Sequence, residues 1–189
     1  MTEFIVLDTE YSCWEGSQET DWNNGSDPRE IIQIGAIKIV DGEKVDELNI
    51  YIKPTVSKIL SDYFINLTGI TNEKVQKYGL DFDLAMKILY SFVRNCDHVY
   101  SYGNDVSILI ENLILHNIDK KSKYYEKEYL NKFKDFRKLL NTTTVDTTNY
   151  SSGELYKAFN LKCKYKLKLH NAFHDAYSLF LVFQTLNLN

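Results

Sequence analysis

The stretch "FIVLDTE" (residues 4–10) joins an apolar strand to two carboxylates, and it constrains the fold of this 189-residue chain most. The apolar run from Phe4 to Leu7 is typical of a strand that is covered on both faces. Because side chains two apart in a strand point to the same face, Asp8 and Glu10 stand side by side. Unpaired carboxylates repel each other, and a divalent ion, which prefers oxygen ligands, would relieve that repulsion. The same pattern also fits a strand that ends in a solvated loop.

Two further strands are predicted directly after the first. "IIQIGAIKIV" (31–40) is an apolar run, and "EKVDELNIYIKP" (43–54) alternates roughly between apolar and polar residues. Asp41-Gly42, between the two, is typical of a hairpin turn. The remainder alternates between helical and strand patterns. Helices are predicted within 60–71, 81–95, 105–118, 152–160 and 171–188, and strands at 98–102 and 142–148. This order predicts an α/β fold with a mixed central sheet, three leading strands and helices on the faces of the sheet.

Composition favours one domain over residues 1–189, because 44% of the residues are hydrophobic and no linker-like stretch interrupts them. The N-terminus enters a strand pattern without a leader, and no apolar run is long enough to span a bilayer. Three widely spaced cysteines fit free thiols in a reducing compartment. We therefore expect a cytoplasmic protein without membrane contact. The net charge of -4 excludes the charge pattern of a tight duplex-DNA binder, so any nucleic-acid contact must be local.

Two more acids stand beside predicted elements. Asp105 follows the strand 98–102, and Asp175 lies in the first turns of the last helix. Each has an ordinary interpretation, Asp105 as a helix N-cap and Asp175 as a surface acid near a positive helix end. His170 precedes Asp175 by five positions, which on one helix would place the two about 140° apart. His170 can serve this site as a general base only if it lies on a loop before the helix.

Five segments occur in a recognisable order: "FIVLDTEYSCWE", "EIIQIGAIKI", "LTGIT", "SYGNDVSIL" and "HNAFHDAYSL". In this order and context they resemble the DEDDh branch of the DnaQ-like 3′-5′ exonucleases, which have an RNase H-like fold. "SCWEG" and the pairing of "EIIQIGA" with "LTGIT" are most similar to the Eri-type subgroup, to which the animal histone mRNA 3′ exonuclease belongs. The resemblance covers nearly the whole chain.

The resemblance implies a two-metal phosphodiesterase that acts on 3′ ends of single-stranded RNA or DNA and releases nucleoside 5′-monophosphates. It assigns Asp8, Glu10, Asp105 and Asp175 as ligands of two divalent ions, Mg²⁺ or Mn²⁺. It assigns His170 as the general base.

One motif departs from the family pattern. Related sequences often have G-x-x-D before the third acid, whereas here Gly103 stands only two residues before Asp105. Asp97 is therefore the alternative ligand. It precedes its strand rather than following it, so we expect it to emerge at the wrong end of the sheet.

Three candidate substrate contacts lie in the same motifs. Thr9 stands between the first two acids, and Trp14, just after them, could stack on a terminal base. Leu67 belongs to "LTGI", and in the resembling family the matching segment approaches the terminal nucleotide. Trp14 and Leu67 would alternatively be ordinary core residues.

Lysines form a further candidate interface. They alternate at Lys162, Lys164, Lys166 and Lys168 up to the predicted base, so an extended backbone would place them on one side, leading to the site. Alternating lysines also protect exposed edge strands. The Lys- and Tyr-rich segment 119–140 is either an extra helical flap on nucleic acid or an amphipathic surface helix.

Two functions of other classes stay open. His170 and His174 form H-x-x-x-H, which on a helix could begin the site of a zinc-dependent hydrolase, although the sequence shows no H-E-x-x-H motif and no evident third ligand. The other is a catalytically inactive nucleic-acid-binding module of the same fold. The sequence does not separate RNA from DNA, because a few loop contacts read the 2′-hydroxyl, and it identifies no protein partner.

Overall fold

The computed structural model describes residues 2–17, 19, 20, 22 and 28–186. Its strands are β1 (Glu3–Tyr11), β2 (Ile31–Val40), β3 (Glu43–Tyr51), β4 (His98–Ser101) and β5 (Phe133–Asp135). Its α-helices are α1 (Asp62–Thr68), α2 (Asn72–Tyr78), α3 (Phe82–Val93), α4 (Asp105–Leu115), α5 (Lys127–Leu130), α6 (Arg137–Leu140), α7 (Leu155–Ala158) and α8 (Ala172–Phe183).

The five strands form one mixed sheet in the order β3-β2-β1-β4-β5. β2 runs antiparallel to both of its neighbours, β1 and β3, whereas β4 runs parallel to β1 and β5 runs parallel to β4. The hairpin turn has positive φ angles at Asp41 (50°) and Gly42 (81°), which a two-residue turn of type I′ requires. The predicted mixed sheet with three leading strands is confirmed.

Helices cover both faces of β1, the central strand. α3 and α4 pack against Leu7 on one face, and α8 packs against Val6 on the other. Both side chains are fully buried, and each such burial contributes roughly 1.5–3 kcal/mol. Because strand side chains alternate, Asp8 and Glu10 continue the Val6 row toward α8, and Thr9 continues the Leu7 row toward α4. At the end of β1, the carboxylates of Asp8 and Glu10 therefore lie on the α8 side of the sheet, and the Thr9 hydroxyl lies on the α4 side.

The predicted strand at 142–148 is wrong, because this segment forms turns. Its short polar side chains bond to nearby backbone: Thr143 Oγ1 donates to the Leu140 carbonyl at 2.8 Å, and Asp146 accepts from the Thr148 N–H at 3.0 Å. Such local bonds compete with a strand ladder. The fifth strand comes instead from the Lys- and Tyr-rich segment 119–140.

That segment is neither a flap nor a continuous surface helix. It contains a 3₁₀ turn (Lys123–Tyr125), two short helices and β5. Tyr124, Tyr129 and Phe133 are buried in the core beneath α3 and α4. Their apolar rings therefore hold the segment against the sheet. Its lysines are exposed except Lys132, whose Nζ donates to the Cys96 carbonyl at 2.5 Å.

The described residues include no helix with the length and apolar character needed to cross a bilayer. The three cysteines are free thiols, with Cys13 and Cys96 buried and Cys163 partly exposed.

Candidate active site

Three carboxylates converge where β1 ends. Asp8, Glu10 and Asp175 each offer an oxygen atom, and these atoms lie within 4.8 Å of one another. Asp8 and Asp175 are buried, with 9% and 5% of their surface exposed. The structure thus brings together the first, second and fourth of the predicted metal ligands.

Close packing of α8 on β2 places Asp175 beside Asp8. Gly35 pairs with Asp8 across the sheet, and a Cβ atom on Gly35 would lie 2.2 Å from the Phe173 backbone nitrogen. Only glycine permits this approach. Gln33 accepts a hydrogen bond from the Ala172 N–H at 3.1 Å, which fixes the first turn of α8 on β2.

Asp105 reaches the same cavity from the other face of the sheet. It opens α4 directly after the loop that follows β4, in which Gly103 has a φ angle of 147°. Thr9 Oγ1 donates to Asp105 Oδ1 at 2.7 Å. Thr9 was predicted as a substrate contact; the structure gives its hydroxyl a role in orienting the third acid. Asp97 accepts from the Glu3 N–H at 2.8 Å, at the opposite end of β1, and is excluded from the site.

A cavity of about 420 Å³ contains all four acids. His170 and Leu67 also line it. His170 has a φ angle of 56° and lies directly before Asn171, the N-cap of α8. It therefore precedes the helix, as its proposed role requires, and half-burial lowers its pKa below the ordinary value.

The remaining predicted contacts lie outside this cavity. Trp14 is half-buried and does not line it, whereas Trp22 does. The lysine segment has an irregular backbone, so its side chains do not follow the alternation of a strand. Lys166 is exposed, and Lys168 donates its backbone N–H to His174 Nδ1 at 2.8 Å. Substrate contacts by these lysines stay a prediction.

The acids favour protonation when no cation is present. Burial, followed by repulsion from neighbouring acids, raises the pKa of Asp8 well above its usual range and that of Glu10 to about 8. Burial raises the pKa of Asp175 to about 7. Asp175 Oδ1 is buried and has no hydrogen-bond partner among the described residues. Clustered carboxylates with an unpaired oxygen fit a divalent cation, which would replace the protons.

Sequence reasoning missed two residues that shape this cluster. Ser152 lies in the cavity beside Asp8, where its hydroxyl partly offsets the burial and the repulsion that raise the pKa of that acid. A Cβ atom on Gly153 would lie 2.3 Å from Asp175 Oδ1, so only glycine fits there. The glycine in "SSGEL" was the available signal. Nothing in the sequence indicated that it packs on Asp175.

In the absence of divalent ions, we expect the protein to lose stability between about pH 4.5 and 8. The raised pKa values of Glu10 (about 8) and Asp175 (about 7) mean that the folded state binds more protons than the unfolded state in this range. Their stabilising contribution is therefore full below the ordinary carboxyl pKa and is lost as the pH rises through these values. A cation that replaces the protons should raise the melting temperature more at pH 8 than at pH 6.

Thermal unfolding in EDTA, and then in Mg²⁺ or Mn²⁺, measures both effects. Asp175→Asn is the matched variant, because it removes one charge with little change of shape. We expect it to flatten the pH dependence and to reduce the metal-induced rise. A wild-type melting temperature that changes neither with pH nor on addition of metal would contradict a cation site.

The exonuclease family model RNase_T matches residues 5–183. Among curated relatives, the 3′-5′ exonuclease eri1 of Schizosaccharomyces pombe is 28% identical over 111 residues, which are 58% of this chain and 35% of that protein. The PolC-type DNA polymerase III of Thermotoga petrophila is 41% identical over 75 residues, which are 39% of this chain and 4% of that protein. The matched region thus spans about a third or less of these relatives.

Solved structures share the fold. The nuclease domain of 3′hExo, described as a DEDDh family member bound to rAMP, has a TM-score of 0.76 at 17% identity, covering 97% of this chain and 90% of that one. A zinc-bound E. coli ExoI–ssDNA complex has a TM-score of 0.67 at 17% identity, covering 97% of this chain and 40% of that one. The predicted RNase H-like exonuclease fold is therefore confirmed.

Proposed function

This chain belongs to the RNase_T exonuclease family, and on that premise we propose that it removes nucleotides from 3′ ends of single-stranded RNA or DNA. The observation that carries the proposal is the cluster of four acids around one cavity, with His170 on a loop at its wall. Relatives named for 3′-5′ exonuclease activity, such as eri1, support the direction of digestion.

Asp8, Glu10 and Asp175 would hold one divalent ion, and Asp105 would complete a second site with Asp8. When bound, Mg²⁺ or Mn²⁺ supplies Lewis-acid stabilisation of phosphate charge and makes a bound water more acidic. His170 in its neutral form accepts a proton from the attacking water through an imidazole nitrogen. The water oxygen bonds to phosphorus and the phosphorus–O3′ bond breaks. The released 3′ oxygen of the shortened strand takes up a proton from solvent, and a nucleoside 5′-monophosphate leaves.

The other functions receive less support. The zinc alternative needs two histidines that converge, but His174 Nδ1 is occupied by the Lys168 N–H and His170 lies off the helix. Within the described part of the chain, the side chains that could share a metal ion are carboxylates without a histidine. The inactive-module alternative is disfavoured because all four acids and His170 remain in place.

Direction and metal dependence test the proposal. A 5′-labelled single-stranded oligonucleotide should give a descending ladder in Mn²⁺ or Mg²⁺, and EDTA should stop the reaction. Matched RNA and DNA strands, each with and without a 3′-overhang duplex, would define the substrate class. Immediate release of the labelled mononucleotide would show digestion from the 5′ end and overturn the assignment.

A further inference from the structure

Arg29 lines the cavity on the side that faces α4, and it is the one Arg or Lys among the lining residues that the structure describes. Its Nε donates to Glu111 of α4 at 3.0 Å, and its Nη2 donates to the same carboxylate. Its backbone carbonyl accepts from Asn112 Nδ2 at 2.7 Å. Arg29 is therefore anchored to the helix on the sheet face opposite α8.

Two aromatic rings stand beside Arg29. The Tyr11 and Trp22 rings lie 5.4 Å apart, and the Arg29 guanidinium carbon lies 5.7 Å from the centre of the Trp22 ring. All three side chains line the cavity. Its volume of about 420 Å³ falls within the ~300–1,000 Å³ typical of pockets for small organic ligands. The cavity as a whole therefore has room for a nucleotide as well as metal ions.

The charges here favour an uncharged group over a second phosphate. Glu111 already neutralises the guanidinium, so little positive charge is left to attract an anion. Glu111 engages Nε and Nη2, which leaves the outer N–H groups of Nη1 and Nη2 for another acceptor. A nucleobase is uncharged, stacks on aromatic and guanidinium planes, and carries acceptors on its edge.

Among the bases, guanine fits these donors best. Its O6 and N7 are adjacent acceptors that match two parallel Arg N–H groups, whereas adenine places a donor beside its N7 acceptor. We infer that Arg29, with Tyr11 and Trp22, binds the base of the 3′-terminal nucleotide and makes the enzyme favour a terminal guanine. This inference rests on the proposed function.

The test compares 5′-labelled oligonucleotides that differ only in the 3′-terminal base, by the kcat and KM of the first cleavage. We expect wild-type kcat/KM to be about tenfold higher for terminal guanine than for adenine, since one bidentate pair discriminates by this order. Arg29→Ala should reduce the ratio to near one by raising KM for the guanine substrate. Arg29→Lys should do the same, because an ammonium cannot form the two parallel bonds.

Lys87→Ala is the control, because it removes an exposed ion pair with Asp83 on α3 without touching the cavity. It should leave the ratio unchanged. A wild-type enzyme without base preference, or an Arg29→Ala variant that slows all substrates equally, would overturn the inference. If the wild type degrades no substrate, the proposed function fails instead. The role of Arg29 is then decided by the dissociation constants of guanosine and adenosine 5′-monophosphates. Tighter binding of the guanosine nucleotide that is lost in Arg29→Ala supports the role, and equal binding of the two overturns it.

Discussion

Asp8→Asn should abolish metal-dependent hydrolysis and leave the chain folded. Asp8 lies within the carboxylate cluster and is buried, so the change removes a ligand charge with little change of shape. Losing about 4–5 kcal/mol of charge stabilisation at the phosphate corresponds to a decrease in kcat of about 10³-fold or more. Without metal at pH 8, the variant should melt above wild type, because it lacks a buried carboxyl whose raised pKa disfavours the folded state as the pH rises.

Asp97→Asn is the matched control for this prediction. It makes the same chemical change at the acid that bonds to Glu3 at the far end of β1. Steady-state kinetics and thermal unfolding, with and without Mn²⁺, should separate the two variants. Activity of Asp8→Asn within tenfold of wild type would refute the placement of the metal site.

His170→Ala should lower kcat by about 10² to 10⁴, the usual contribution of a general base, and leave the metal-induced rise in melting temperature intact. Burial holds the pKa of His170 below its ordinary value. Because neutral imidazole is the active form of the proposed base, wild-type activity should rise with pH and reach half its plateau below about pH 6.5. The variant should lose this acidic limb.

His174→Ala provides the comparison. Its Nδ1 accepts one backbone hydrogen bond, from Lys168, so its removal should cost about 1 kcal/mol of stability and little activity. A pH–rate profile and a thermal unfolding curve for each variant give the answer. Greater damage from His174→Ala, or loss of the metal response in His170→Ala, would show that the base is assigned wrongly.

Local patterns predicted the elements that carry the acids, because those patterns are strong. The apolar run before Asp8 and the helical stripe around Asp175 each match one structure and one period. Side-chain alternation in a strand predicts that Asp8 and Glu10 share one face, and this prediction does not depend on how the strand packs. Asp105 follows the strand β4 and Asp97 precedes it, so the sequence also predicted that Asp105, and not Asp97, lies at the end of the sheet that carries the other acids.

Features that depend on packing between distant segments could not be predicted in this way. β5 forms because the rings of Tyr124 and Tyr129 are buried beneath α3. The many lysines around these rings indicated a surface segment, so the sequence did not predict this burial. Trp14 was the predicted aromatic contact, and only the folded structure shows that Trp22 lines the cavity instead. The contact of Gly153 with Asp175 joins two segments whose distance no local pattern encodes.

The placement of α8 has a consequence for protein synthesis. Asp8 lies on the first strand, whereas His170 and Asp175 belong to the last helix of the described chain and the loop before it. A nascent chain that has already formed β1 to β4 therefore still lacks one carboxylate and the proton acceptor. We expect the proposed exonuclease activity to begin only after α8 has left the ribosome and packed on β2.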